Sequence, residues 1–153
     1  MPHRPAPAFR VAPRLVAAAL AALLVAGLTL APRSIVGPAR GAFLDAVWEL
    51  AAPLVAGLTY TDVESALNAL LFVPLGVALA ALLPMRAWLL APITGLLASV
   101  TVEYLQLRIP GRVPDVADIL WNSVGALAGA VIVAVVRLLS RRQVAERATH
   151  SVR

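Results

Sequence analysis

The stretch Val102–Gly129 reads VEYLQLRIPGRVPDVADILWNSVGALAG. It contains the end of one long apolar segment, a short loop with two prolines and the start of a second apolar segment. Most of the chain's polar residues within apolar surroundings lie here: Glu103, Gln106, Arg112, Asp115, Asp118 and Asn122. Because ionisable residues are costly in a membrane segment, this stretch is the first candidate for a functional site.

The composition predicts an all-α, polytopic membrane protein. Of the 153 residues, 61% are hydrophobic and 14% are charged, whereas soluble domains carry about 25% charged residues. The absence of cysteine excludes disulfides, a cysteine nucleophile and thiolate metal sites. All 13 basic residues are arginines, which excludes a Schiff-base lysine. The net charge of +5 comes from arginines beside apolar segments, so we predict lipid contacts and no binding of nucleic acid.

Four apolar runs predict a bundle of four transmembrane helices at about residues 15–31, 66–83, 87–107 and 116–139. Residues 1–14 are predicted to be a disordered basic N-terminal tail, and residues 140–153 a basic C-terminal tail. A cleaved signal peptide is the alternative for the first run, since basic residues precede it. Its length and the poor cleavage site Thr29-Leu30-Ala31 favour a retained span.

The segment between the first two spans is predicted to lie at the membrane surface. Residues 33–41 contain two glycines and a proline and are predicted to be a loop. In residues 43–58, Asp45 and Glu49 share one helical face, while Trp48 and Tyr60 suit the headgroup level. This pattern predicts an interfacial helix; a re-entrant span is the alternative.

The arginines predict the orientation of the chain. In the four-span arrangement nine arginines lie on the side of the termini: Arg4, Arg10, Arg14, Arg86, Arg137, Arg141, Arg142, Arg147 and Arg153. Four lie on the other side: Arg33, Arg40, Arg108 and Arg112. Positive residues favour the cytoplasmic side, so both termini are predicted to be cytoplasmic.

Seven polar residues from three predicted spans and the loop between the last two lie at the outer end and form the candidate ligand-binding site: Asn68, Glu103, Gln106, Arg112, Asp115, Asp118 and Asn122. Five of them have a structural alternative. Asp115 suits a helix N-cap, and Arg112 suits either an anionic ligand or an ion pair with Asp115. Glu103 suits an arginine partner, and the two asparagines suit hydrogen bonds between helices.

Known catalytic signatures are largely missing from the sequence. His3 and His150 lie in the terminal tails, so we predict no metal site and no cofactor. The carboxylates Glu103, Asp115 and Asp118 are suited to acid–base chemistry or to binding a divalent cation. The sequence does not assign a catalytic role to any residue. Gly125 and Gly129 form a small-xxx-small face that predicts close helix packing.

Three sequence blocks resemble the VanZ-like membrane protein family. They are Glu64-x-x-x-Asn68 with Leu71-Phe72-Val73-Pro74-Leu75-Gly76, Glu103-Tyr104-Leu105-Gln106, and Gly111-Arg112-x-x-Asp115-x-x-Asp118-x-x-x-Asn122-x-x-Gly125-x-x-x-Gly129. The blocks cover about residues 61–136. Glu64 stands where the family pattern has an aspartate, and the N-terminal third shows no resemblance beyond a membrane span followed by a loop.

The resemblance implies a small multi-pass protein of a bacterial cytoplasmic membrane. The family is named for a protein linked to low-level teicoplanin resistance, while most members have no known biochemical function. We therefore expect a non-enzymatic cell-envelope accessory protein that binds an amphiphile: a membrane lipid, a lipid-linked envelope precursor or a lipoglycopeptide. The alternatives are a carboxylate-dependent enzyme acting on an envelope lipid and a structural membrane subunit.

Overall fold

A computed structural model describes residues 8–109 and 115–150, and all regular structure in this part of the chain is helical. The helices are α1 (Ala8–Leu30), α2 (Arg33–Leu50), α3 (Ala52–Val55), α4 (Tyr60–Leu82), α5 (Leu90–Gln106) and α6 (Val116–His150), with a short 3-10 helix (Met85–Ala87) before α5. The predicted all-α class is confirmed.

Three of the described helices are long and apolar enough to cross a membrane: Val11–Leu30 in α1, Tyr60–Leu82 in α4 and Val116–Gln143 in α6. The predicted third span is not confirmed, because α5 has 17 residues. A helix of that length measures about 26 Å, whereas a hydrocarbon core of about 30 Å takes about 20 residues.

Apolar side chains cover the outside of the bundle. In an apolar stretch of 18 residues within each candidate span, 11%, 33% and 28% of the residues are buried inside the protein. Large residues such as Leu23, Leu97 and Leu120 are more than half exposed. A soluble protein rarely exposes an apolar surface of this extent, whereas lipid chains solvate it. The chain is therefore a helical membrane protein.

The contacts between helices fix their directions. On α4 and α6, Ala69 lies against Gly125 and Val73 against Gly129, so these two helices run parallel. Gly95 of α5 lies against Ala126 and Ser99 bonds Asn122, so α5 runs antiparallel to α6. The C-terminal end of α1 meets that of α5, where Thr29 accepts a hydrogen bond from Gln106. We call the end of the bundle with the starts of α4 and α6 the polar end, and the opposite end the basic end.

Glycines bring α4 and α6 into backbone contact. A Cβ atom added to Gly125 would overlap the carbonyl of Ala69, and one added to Gly129 would overlap that of Val73. Gly76 of α4 meets the backbone of Ala126 in the same way. The predicted close approach at Gly125 and Gly129 is confirmed.

Two predictions near the N-terminus are wrong. α1 already begins at Ala8, so residues 8–14 are helical rather than disordered. α2 includes the whole segment 33–41 that was predicted to be a loop, with Pro38 inside the helix. Its packing explains the difference, because Leu44 of α2 is buried against Val55 and Val63. Such tertiary contacts override the low helix propensity of glycine and proline.

Other boundaries also differ from the prediction. The helix expected at residues 43–58 is interrupted at Ala51, after which α3 begins with Pro53 in its first turn. α4 begins six residues before the expected position 66, because Thr59 and Asp62 form a capping box at its N-terminus. α6 continues to His150 through most of the expected C-terminal tail.

Candidate functional site

Four polar residues from three helices form one hydrogen-bonded chain at the polar end, which we call the polar cluster: Arg40, Glu64, Asn68 and Asp118. The guanidinium of Arg40 forms an ion pair with Glu64 at 2.8 Å and donates to Oδ1 of Asn68 at 3.2 Å. The amide of Asn68 donates in turn to Oδ1 of Asp118 at 2.7 Å. The cluster therefore joins α2, α4 and α6.

The local sequence explains why these side chains meet. Glu64 and Asn68 are four residues apart in α4 and share a face, and the capping box at Thr59 fixes where that helix begins. Asp118 lies in the first turn of α6, where the helix dipole favours a negative charge. Arg40 lies in the middle of α2, one turn before the buried Leu44.

The polar cluster is accessible from outside the bundle. The side chains of Arg40 and Glu64 are 34% and 37% exposed, and Asn68 and Asp118 are half-buried. An ion pair of this exposure contributes about 0–1 kcal/mol to stability. Its contribution to folding is therefore small, while its charges remain within reach of a ligand.

A second set of polar residues lies between α5 and α6, which we call the polar seam: Ser99, Glu103, Asp115 and Asn122. Oε2 of Glu103 accepts a hydrogen bond from the backbone N–H of Asp115 at 3.0 Å. One turn away, the amide of Asn122 donates to the hydroxyl of Ser99 at 3.0 Å. Ser99, Glu103 and Asn122 are at most 5% exposed, so these three side chains are internal. Asp115 contributes its backbone N–H, and its own side chain is exposed.

Gln106 and Asp115 hold helix ends. The amide of Gln106 donates to the carbonyl of Thr29 at 2.9 Å, in the last turn of α1, where carbonyls have no partner within the helix. Oδ1 of Asp115 accepts from the N–H of Ala117 at 2.8 Å. This is the N-cap geometry that was one interpretation of Asp115.

A sequence model of the VanZ/LLP1 family matches residues 18–137. The chain belongs to the VanZ/LLP1 family. The match begins in α1 and includes α2, so it extends into the N-terminal third, where sequence analysis found no resemblance. No curated protein and no solved structure matches the chain.

In this VanZ/LLP1 protein the predicted site residues fall into separate groups. Asn68 and Asp118 meet directly in the polar cluster. Glu103, Asp115 and Asn122 belong to the polar seam, and Gln106 joins α5 to α1. Arg112 lies outside the described residues. The described members of the candidate set thus lie towards one end of the bundle, but they do not share one pocket.

Sequence analysis missed Arg40, Glu64 and Ser99. Arg40 was placed in a loop because of the surrounding glycines and proline. Glu64 belongs to a block that carries the family resemblance, and its spacing of four from Asn68 was a usable signal. Ser99 lies four residues before Glu103 on the same face of α5, which could have identified it.

The carboxylates of the candidate site are divided between the polar cluster and the polar seam. Within residues 8–109 and 115–150, no three His, Cys, Asp or Glu side chains come close enough to hold a metal ion. Glu103 and Asp118 bond different partners. The polar cluster links a guanidinium and two carboxylates through Asn68, and these groups are complementary to a ligand head with anionic and hydroxyl or ammonium groups.

Proposed function

We propose that this protein is a non-enzymatic envelope accessory protein that binds the polar head of a membrane amphiphile at the polar cluster. The observation that supports it is the half-exposed chain Arg40–Glu64–Asn68–Asp118 at the end of an apolar bundle. Arg40 suits a phosphate or carboxylate of the head group. The lipid-facing helices beside the cluster suit the apolar tail.

Asp118 provides the second group that recognises the ligand head, beside Arg40. Among the described residues, the carboxylate of Asp118 receives one side-chain hydrogen bond, from Asn68 to Oδ1. We propose that its second oxygen accepts a hydrogen bond from a hydroxyl or ammonium group of the ligand. An envelope lipid, a lipid-linked envelope precursor and a lipoglycopeptide all have such groups beside an apolar chain.

The proposal includes α5 as a fourth crossing. α4 ends at the basic end and α6 begins at the polar end, so the segment between them connects the two ends. α5 is shorter than the usual span, and local thinning of the bilayer compensates for such a mismatch at a modest cost. α2 and α3 then lie in the interface, with Leu50 and Leu54 directed to lipid, since these side chains are 87% and 83% exposed.

We further propose that the polar end faces outward from a bacterial cytoplasmic membrane, with both termini cytoplasmic. Single cysteines at Thr61 and Ser140 test this in a chain without native cysteine, because both positions are exposed and belong to opposite ends. An impermeant maleimide applied to intact cells should label position 61 alone. Labelling of position 140 alone would show the reverse orientation and rule out an outer-leaflet ligand.

The binding proposal is tested with Asp118→Asn. The substitution keeps an oxygen that accepts from Asn68 but removes the charge. We expect affinity for the ligand to fall about 10- to 100-fold, because a hydrogen bond to a charged group contributes about 1.5–3 kcal/mol. The purified protein is titrated with a panel of envelope lipids, lipid-linked cell-wall precursors and a lipoglycopeptide. Asp45→Asn is the control, since Asp45 is exposed on α2 outside the cluster.

The outcomes separate the proposal from its alternatives. If the wild type binds no member of the panel more tightly than Asp118→Asn does, the proposal is wrong. A structural subunit predicts that stability and cellular function fall in step in every variant. An enzyme predicts turnover of an envelope lipid by the purified protein, abolished by Glu103→Gln.

A further inference from the structure

A groove of about 740 Å³ runs between α1 and α4 at the basic end. Small side chains produce it: Ala17 and Ala21 of α1 lie opposite Ala78 and Ala81 of α4. Farther along, Val25 and Phe72 fill the space between the same helices. The groove lies outside the polar cluster, and its volume is in the range of small-molecule sites, about 300–1,000 Å³.

The dimensions of the groove suit one acyl chain. On α1 it extends from Pro13 to Leu24, which corresponds to about 17 Å of helix. This length is close to the thickness of one leaflet, which is half of a hydrocarbon core of about 30 Å. Apart from Arg14 its lining is apolar, so the groove suits a hydrocarbon chain and excludes polar ligands from its interior.

Two arginines define the charge at the mouth of the groove. Arg14 lines it and donates to the carbonyl of Ala81 at 3.3 Å. Arg137 donates to the same carbonyl at 3.0 Å and to that of Leu83 at 2.7 Å. A guanidinium has five N–H donors, and the bond to Ala81 uses one donor of Arg14. The exposed Arg14 is therefore able to bind a phosphate while it holds the end of α4.

We propose that this groove binds an anionic phospholipid of the leaflet that the basic end faces, with its phosphate at Arg14 and one acyl chain between α1 and α4. The complementarity of charge and polarity supports this occupant, because cationic donors lie at the surface end and apolar side chains along the rest. The site lies at the opposite end from the polar cluster and does not depend on the function proposed for that cluster.

The test compares phosphatidylglycerol with phosphatidylcholine of the same chain length. Delipidated protein in detergent is titrated with each lipid, and bound lipid is counted by native mass spectrometry. We expect each protein to bind one phosphatidylglycerol molecule tightly and phosphatidylcholine more weakly. Arg14→Gln should weaken phosphatidylglycerol binding about tenfold or more, because a charge-assisted hydrogen bond is lost. Arg86→Gln is the control, since Arg86 is exposed at the same end.

A second variant tests the groove itself. Ala17→Leu fills the groove and should weaken binding of both lipids, whereas Ala19→Leu, at an exposed position outside the lining, should leave it unchanged. Thermal unfolding verifies the fold of each variant, and Ala17→Leu decides alone if Arg14→Gln fails to fold. Equal binding of the two lipids by the wild type overturns the proposal. Equal losses of phosphatidylglycerol affinity in Arg14→Gln and Arg86→Gln would also overturn it. So would binding of both lipids by Ala17→Leu at the wild-type affinity.

Discussion

Replacing Gly125 by alanine tests the packing on which the polar cluster depends. Gly125 of α6 lies directly against the backbone of α4, and a Cβ atom there would overlap the carbonyl of Ala69. A flexible side chain could rotate away from the added methyl group, but a helical backbone cannot. The two helices must therefore separate locally, and the hydrogen bond between Asn68 and Asp118 joins the same pair of helices.

The expected magnitude follows from two opposing effects. Overfilling a packed contact costs about 1–3 kcal/mol, while alanine has a helix propensity up to about 1 kcal/mol better than glycine. We expect Gly125→Ala to lower the free energy of unfolding by about 1–2 kcal/mol. In a chain of this size each kcal/mol shifts Tm by about 2–4 °C, so Tm should fall by about 2–8 °C.

The assay is thermal unfolding of the purified protein in detergent, followed by circular dichroism. Gly27→Ala is the matched control, because Gly27 lies in α1 and an added Cβ would have no described heavy atom within 4 Å beyond its chain neighbours and the adjacent backbone of its own helix. It should leave Tm unchanged or raise it. If Gly125→Ala were as stable as Gly27→Ala, α4 and α6 would not be in backbone contact and the geometry of the polar cluster would be wrong.

Three further substitutions test separate contacts. Arg137→Gln removes the charged donor to two carbonyls at the end of α4 and should cost about 1–3 kcal/mol, whereas exposed Arg141→Gln should stay within about 0.5 kcal/mol in the same unfolding assay. Ser99→Ala leaves the buried amide of Asn122 unpaired and should cost about 1–3 kcal/mol; adding Asn122→Leu should recover most of that loss in a double-mutant cycle. Thr59→Ala removes the N-cap of α4 and should cost about 0.5–2 kcal/mol, with faster hydrogen exchange in the first turn of α4.

The parts of the fold that sequence predicted correctly are those with a local signal. Long apolar runs identified α1, α4 and α6 as candidate spans. The spacing of Gly125 and Gly129 predicted close packing, because only small residues let two backbones approach. Asn68 and Asp118 were identified because polar residues stand out in apolar surroundings.

The parts that sequence missed depend on tertiary contacts. α2 contains Gly37, Pro38 and Gly41, and a local pattern of this kind favours a loop. The helix forms because Leu44 packs against Val63 and Arg40 bonds Glu64 and Asn68. Nothing in residues 33–50 alone reveals these partners, so the helix and its contribution to the polar cluster were missed together.

The partners of the polar residues on α5 were unpredictable for a different reason. α5 is apolar on most of its surface, and many of its leucines and valines are exposed. In lipid an apolar residue is stable on either face, so hydrophobic periodicity does not indicate which face packs against α6. The small residues Ala91 and Gly95 and the polar residues Ser99 and Glu103 mark that face.

The polar seam and the polar cluster differ in burial, and therefore in how easily their side chains exchange hydrogen-bond partners. In the seam, Glu103 and Asn122 are almost completely buried, and a buried polar group that loses its partner costs about 1–3 kcal/mol, more if charged. A ligand therefore cannot take these bonds without opening the bundle. In the cluster, Arg40 and Glu64 are about one-third exposed, so water or a ligand head replaces either partner at a small cost. Substitutions in the seam should consequently act on stability first, and substitutions in the cluster on binding first.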